Sequence, residues 1–374
     1  MKINILQGAF LPVPPTKGGA IESAWFELGK EFAKHGHQVT HVSRLDQGLN
    51  QVETIDGVKH LRIGGANAVR NSIFLKILEL PYVLRAKKVM PSADILVTHA
   101  FWAPLLFPKL KHGKQYIHVG RYPKGQLGFY TKASRLQVPS LTIAEACKKQ
   151  VPMHVSKIKI LPYPLTWQTS GNLNLENREK VVLYAGRIHP EKGVRYLVEA
   201  WSQIPNKILQ GWTLRLIGPW REEQGGGGQQ FYDSLKHIIG SSTNAIEIHD
   251  PIFERHTLKQ EMEKVRFFIY PSVSNKGETF GLAVLEAMSC GCVPIVSSLP
   301  CFSDFINFGI EGFCLNEIRN RNLIEIINYK LCEILEASDL TIKNMAIASW
   351  KRAKEYELEK VADRYLEDFS SLLS

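Results

Sequence analysis

Short apolar runs alternate with stretches of helical periodicity along this chain, and the alternation stops once and begins again. Ile3 to Gly8 has the length and composition of a buried strand. Leu11 to Gly19 is a loop rich in Pro and Gly. Ala20 to His35 then carries Ile21, Ala24, Trp25, Leu28 and Phe32 at helical spacing. Gly36 ends that helix, and Gln38 to Val42 is the next strand. A strand–helix–strand unit implies a parallel sheet, because parallel neighbours need a long crossover. Strands are expected again at Lys59–Ile63, Ile95–His99, Gln115–Val119 and Ile158–Leu161, with Ser140–Lys149 a short strand running into a helix. Ser72–Met90 is expected to be helical and broken near Pro81. Pro162–Asn177 lacks periodicity and reads as a linker.

After it the alternation resumes. Strands are predicted at Lys180–Ala185, Thr213–Ile217, Ala245–His249, Phe267–Tyr270 and Val293–Val296. The intervening helices are Val194–Ile204, Phe231–Ile239, Leu258–Val265 and one opening at Leu282. Asn322–Leu335 is a further helix, and Asn344–Leu373 a long amphipathic one. The four consecutive glycines within Gln224–Gln230 read as a mobile surface loop. The fold class is therefore α/β, with two doubly wound domains. A length of 374 residues suits two domains rather than one core.

Composition excludes some classes. No apolar run approaches the roughly 20 residues that cross a bilayer, and Gln7 and Gly8 interrupt the N-terminal run before it resembles a leader. A cytoplasmic location is expected. The six cysteines form no CxxC pair, so reduced, buried thiols are expected and no zinc site. The net charge of +10 favours anionic partners without choosing among them. No motif supports nucleic-acid binding.

The most informative segment is PSVSNKGETFGLAVLEAMSCGCVP, from Pro271 to Pro294. It follows a predicted strand and opens a helix, so it lies where open α/β sheets bind ligands. Unpaired N–H groups near Gly281 and Leu282 can meet a phosphate. Glu278 and Glu286, at Glu-x7-Glu spacing, offer two carboxylates for the hydroxyls of an elongated ligand. Alone, they are more often solvated glutamates. Glu286 nevertheless sits among Leu285, Ala287 and Met288, where a carboxylate needs a partner. A second loop, GRIHPEKG from Gly186 to Gly193, places Arg187 and Lys192 after another strand, and two such cations suit a diphosphate. The alternative is a basic surface turn. A third loop contains Gly18 and Gly19 before a helix whose first turn holds Glu22, which could equally serve the helix dipole. Neither GxGxxG nor GxxxxGK[ST] occurs, which weakens a nicotinamide or ATP reading.

The pieces GGAIESAWFELGKEFAKHGHQVT, VVLYAGRIHPEKGVRYLVEAW, LRLIGP and ETFGLAVLE, in that order, resemble the retaining GT-B glycosyltransferases of family 4. The resemblance implies two Rossmann-like domains facing a central cleft, with a C-terminal helix that crosses back to the first. The domains would span 1–165 (acceptor side), 178–345 (nucleotide-sugar donor side) and 346–374 (the returning helix). By the same resemblance, Arg187 and Lys192 bind the donor diphosphate, Glu278 the donor sugar and Glu286 the ribose. Backbone N–H groups around Phe280, Gly281 and Leu282 touch sugar and phosphate, and Gly18 and Gly19 border the phosphates. His118 matches the histidine near the reacting sugar face, although by itself it reads as a core or strand-end residue. Asp250 to Glu254, including Ile252, matches the loop that lines the base, with Glu254 otherwise a helix-cap partner. The chain departs from the pattern at Leu161-Pro162-Tyr163-Pro164-Leu165 and around Pro139-Ser140-Leu141.

No Asp-x-Asp diphosphate–metal clamp occurs, so no metal or other cofactor is expected, and Arg187, Lys192 and a helix N-terminus would stabilise the leaving group. The expected partners are a nucleotide-sugar, UDP-linked by preference, and a saccharide or lipid-linked saccharide acceptor. Peripheral contact with the inner membrane face is a further expectation. It rests on Arg70–Lys88, which mixes apolar and basic residues; a core helix with a solvated basic face is the slightly favoured reading there. Rival readings are an epimerase or phosphorylase of the same architecture, or a non-catalytic nucleotide- or polyanion-binding protein.

Overall fold

A computed structural model describes every residue except 70, 170, 172, 275 and 316–321, and omits the side chains of 72, 109 and 110. Arg70, Ser170, Asn172 and Asn275, which fall within segments singled out above, lie outside the described residues. The chain forms two compact units, Met1–Thr166 with Tyr356–Ser374, and Trp167–Glu355. No described helix is long and apolar enough to cross a membrane.

The first unit holds strands β1 (Lys2–Leu6), β2 (Gln38–Arg44), β3 (Val52–Ile55), β4 (Val58–Ile63), β5 (Ile95–Thr98), β6 (Lys114–His118), β7 (Arg135–Val138) and β8 (Ile158–Ile160). They lie in the order β3-β4-β2-β1-β5-β6-β7-β8, parallel except for the β3–β4 hairpin. That hairpin turns at Asp56-Gly57, whose positive φ angles of 47° and 81° suit a tight hairpin turn. β1 is apolar because both of its faces are covered. The helix Ala20–Lys34 covers one face and fully buries Leu28 and Phe32, a contribution of roughly 1.5–3 kcal/mol for each side chain. The terminal helix Leu358–Leu373 packs on it through Phe369 against Phe32 and Tyr365 against Trp25. Asp368 of that helix accepts from the Tyr116 hydroxyl and from Arg135, which ties the chain's end to this sheet.

The second unit holds β9 (Glu179–Ala185), β10 (Thr213–Ile217), β11 (Ile246–His249), β12 (Val265–Tyr270), β13 (Val293–Ser297) and β14 (Phe313–Leu315), in the order β11-β10-β9-β12-β13-β14. All its recorded pairings are parallel. The six cysteines are free, five of them buried.

Several expectations are corrected. Ser140 is not in a strand. It caps the helix Leu141–Gln150, and the strand is β7, just before it. The helix Ser72–Val89 runs through Pro81 without a break. The core-helix reading holds for its second half, where Tyr82, Val83 and Ala86 are buried, and fails in the first, where Ile73, Phe74, Ile77 and Leu78 are exposed. The helical stretch 344–373 is two helices, Asp339–Ala353 and Leu358–Leu373, and the chain changes unit at Tyr356 between them. Part of the stretch read as a linker is packed into the second unit. The Trp167 indole donates to Ser289 Oγ, and buried Arg178 donates to the carbonyls of Val265 and Cys290. The glycine run is not a loose loop either. Gly226, Gly227 and Gly228 donate to Arg221, Ile188 and Trp220 carbonyls. A Cβ on Gly226 would stand 2.1 Å from the Trp220 carbonyl carbon, so glycine here serves close backbone packing.

Candidate active site

Each sheet changes its direction of growth once, between β1 and β5 in the first unit and between β9 and β12 in the second. Loops leaving the carboxyl ends of such neighbouring strands diverge and open a crevice. In the second unit those loops are Gly186–Gly193 and Pro271–Gly281, the two segments with the strongest sequence signal. Gly193 draws them together. Its φ is 72°, and a Cβ there would lie 2.0 Å from the Pro271 carbonyl oxygen, so the approach excludes any side chain. Val273 N–H donates to the Glu191 carbonyl across the same junction.

Lys192 is thereby brought onto Glu278, with Nζ 2.7 Å from Oε2 and both side chains at most 10% exposed. The ammonium also lies 5.3 Å from the Tyr270 ring centre. Burial pushes the Tyr270 phenol well above its ordinary range, so it stays neutral beside the pair. Arg187 is more open. Its Nη1 donates to the Gly225 carbonyl at 2.7 Å, and its Nη2 to Glu191 Oε1 at 2.5 Å. Arg187 thus presents a fixed guanidinium with 40% of its side chain exposed.

The helix Leu282–Ser289 starts from Gly281 in a left-handed conformation, where a Cβ would meet the Phe302 ring at 2.5 Å. Leu282 at its first position is half-buried, and Phe280 is buried against Phe305. Glu286, one turn further, accepts from Arg255 Nη2 at 3.2 Å and is 12% exposed. This supplies the partner that its apolar surroundings require. Sequence reasoning missed Arg255, as well as Trp167, whose ring lies 5.5 Å from the Arg255 guanidinium carbon. Neither stands in a recognisable motif. Glu254 is exposed and caps the helix Arg255–Lys264, the alternative read from the sequence, accepting from His256 and Thr257 N–H groups. The Thr257 hydroxyl, ahead of those amides, holds its carboxyl below the usual range. Ile252 is half-buried in the loop leaving β11.

In the first unit, Gly18 and Gly19 have φ angles of 76° and 110° and lead into the helix that holds Glu22. Glu22 is buried, and that burial raises its pKa, against the opposing pull of its own N–H. His118 ends β6 in the core, 2% exposed. Its Nδ1 lies 2.5 Å from Gln137 Oε1, and its Nε2 2.9 Å from the Tyr163 hydroxyl. Gln137 uses its amide nitrogen on Leu161, so Nδ1 carries the proton and Nε2 accepts. Burial lowers its pKa to about 4, leaving the ring neutral. The more open histidine is His99, directly after β5 at the switch point, which sequence reading passed over as a strand end. Its Nε2 accepts from Gly8 N–H at 3.1 Å and lies 3.9 Å from Glu22 Oε1. Burial lowers its pKa to about 3.

Comparison with known proteins bears on these two units. Residues 166–335 match the family described as glycosyl transferases group 1. A GDP-mannose:cellobiosyl-diphosphopolyprenol alpha-mannosyltransferase from Xanthomonas oryzae pv. oryzae is 28% identical, over 95% of this chain and 94% of that one. An uncharacterized glycosyltransferase from Methanocaldococcus jannaschii is 22% identical, over 80% of this chain and 82% of that one. Among solved structures, a sucrose-phosphate synthase from Thermosynechococcus elongatus superposes with a TM-score of 0.76 at 18% identity, covering 100% of this chain and 99% of that one.

Proposed function

The chain belongs to the group 1 glycosyltransferases of GT-B fold, and we propose that it moves a hexose from a nucleoside-diphosphate sugar to a saccharide or lipid-linked saccharide, with retention of anomeric configuration. The contact between Lys192 and Glu278 beside Arg187 carries this reading. It joins a cation suited to a diphosphate with an acid suited to sugar hydroxyls, at the mouth of a switch point. In this reading Arg187 and Lys192 meet the charge that develops as the sugar–phosphate bond breaks, together with the N–H groups at Gly281 and Leu282. Glu278 then holds the sugar hydroxyls and Glu286 the ribose. No protein nucleophile is assigned. The acceptor hydroxyl enters on the face the diphosphate leaves, and the diphosphate is its proton acceptor. The first unit holds the acceptor, with Gly18, Gly19, Glu22 and His118 lining its ligand edge. His118 acts by position rather than by proton transfer, since both of its ring nitrogens are engaged.

A lipid-linked acceptor draws support from the Xanthomonas relative, which is named for a diphosphopolyprenol-linked saccharide. The sequence reading favours a UDP-sugar, whereas that relative is named for GDP-mannose, so a donor screen must carry both bases. The leaving group is met by side-chain cations without a metal, so chelator should leave turnover unchanged. The test is incubation with UDP- and GDP-hexoses and a polyprenyl-diphosphate saccharide, reading released nucleoside diphosphate and the anomeric form of the product. Arg187→Ala is expected to lower turnover about 100-fold or more. Near-normal turnover in that variant, or formation of an epimerised donor or a sugar phosphate without transfer, overturns the reading.

A further inference from the structure

The helix Ser72–Val89 is apolar on both sides. Its inner side packs Tyr82, Val83 and Ala86 into the first unit's core. On its outer side Ile73, Phe74 and Ile77 are 67%, 58% and 55% exposed, and Leu78 and Leu84 are 36% and 44% exposed. These residues, with exposed Pro81, fall on one stripe at helical spacing. A helix on the surface of a water-soluble domain ordinarily turns polar residues outward. Contiguous exposed apolar surface of this kind marks a docking face.

The charges around the stripe have one sign. Arg85 and Lys88 continue it toward the helix C-terminus, and Lys76 borders it. The helix's one acid, Glu79, is buried, and its Oε2 accepts from Phe101 N–H at 2.8 Å. Apolar side chains flanked by cations and free of exposed acid are complementary to the headgroup–acyl boundary of an anionic bilayer. We propose that this face seats the first unit on an anionic phospholipid surface.

Its place in the fold gives the contact a use. The first half of the helix is fastened to the loop that leaves β5. Trp102 Nε1 donates to the Lys76 carbonyl at 2.7 Å, and Lys76 Nζ lies 4.3 Å from the Phe101 ring centre. That loop begins with His99, at the unit's ligand edge. Seated this way, the unit would take a lipid-linked acceptor directly from the membrane surface. This last step rests on the acceptor reading above, whereas the docking itself does not.

The test is flotation of the full chain at low salt with vesicles of equal parts phosphatidylglycerol and phosphatidylcholine, and with phosphatidylcholine alone. The wild type is expected to float with the anionic vesicles and not with the neutral ones. Phe74→Glu with Ile77→Glu should lower the partition coefficient about 100-fold, since burying each such side chain is worth about tenfold. Arg85→Gln with Lys88→Gln should lower it by roughly 30-fold in total. Thermal melts verify that each variant is folded. If the first pair fails to fold, unchanged flotation of the second pair overturns the proposal. It is also overturned by a wild type that stays at the bottom with anionic vesicles, or by flotation of the Phe74/Ile77 variant like wild type. A dimer that this variant dissociates, without vesicle binding, assigns the face to a second copy instead and likewise overturns it. Neither donor nor acceptor is present, so failure here leaves the transfer reading standing, and failure of transfer leaves flotation unaffected.

Discussion

Lys192 Nζ and Glu278 Oε2 stand 2.7 Å apart although 86 residues separate them in the chain. The pair exists because β9 and β12 are neighbours at the sheet's switch point and Gly193 lets their loops touch. Removing one partner strands the other charge in a nearly closed site. Lys192→Met is therefore expected to cost about 3 kcal/mol of stability, while Lys192→Met with Glu278→Gln regains most of it and stays inactive. Urea melts and donor turnover measured together distinguish this from a purely structural pair, for which the double variant would be active.

Arg187 is aimed by the glycine-rich loop through the Gly225 carbonyl. Gly226→Ala forces that loop off Trp220. The expected outcome is weaker binding of nucleoside diphosphate, by about tenfold, as expected for loss of one charged hydrogen bond. Isothermal titration with UDP and GDP checks this, and unchanged affinity in a folded variant refutes it.

The buried imidazoles His41 and His60 stack at 5.3 Å in the first unit. Loss of hydration lowers His60 to about 4, with the Arg62 guanidinium acting the same way, and holds His41 well below its ordinary value. Both native pKa values lie below the unfolded value, so the unfolded chain binds more protons between about pH 6.5 and 4. Stability is full above that window and falls as the pH drops through it. His60 by itself contributes a loss of about 2 kcal/mol from pH 8 to pH 5. Urea midpoints at the two pH values measure this, and His60→Leu should shrink the difference by about that amount. An equal decline in that variant would place the sensitivity elsewhere.

Asp368 joins the Tyr116 hydroxyl at 2.9 Å and Arg135 at 2.7 Å. Asp368→Ala leaves both without their acceptor and is expected to cost about 3 kcal/mol. Hydrogen exchange should then rise in residues 356–374 before it rises elsewhere. Uniform change across the first unit would show that the helix is not separately held.

The alternation of apolar runs and amphipathic helices was enough to read an α/β chain with parallel sheets, because strand burial and helix periodicity are local patterns. The loops at Arg187–Lys192 and Glu278–Glu286 were also legible, since glycines and charges between a strand and a helix announce a ligand edge. Short β3, β7 and β14 escaped, since three or four residues carry little periodicity, and the Asp56-Gly57 turn between β3 and β4 went unread. Tertiary structure decided what no local pattern encodes. It settled which strands are neighbours, and hence that Lys192 meets Glu278 and Arg255 meets Glu286. It packed the glycine run against Trp220. It also decided which apolar side of the helix Ser72–Val89 faces the core, because a helix apolar on two sides has no preferred one until its neighbours choose.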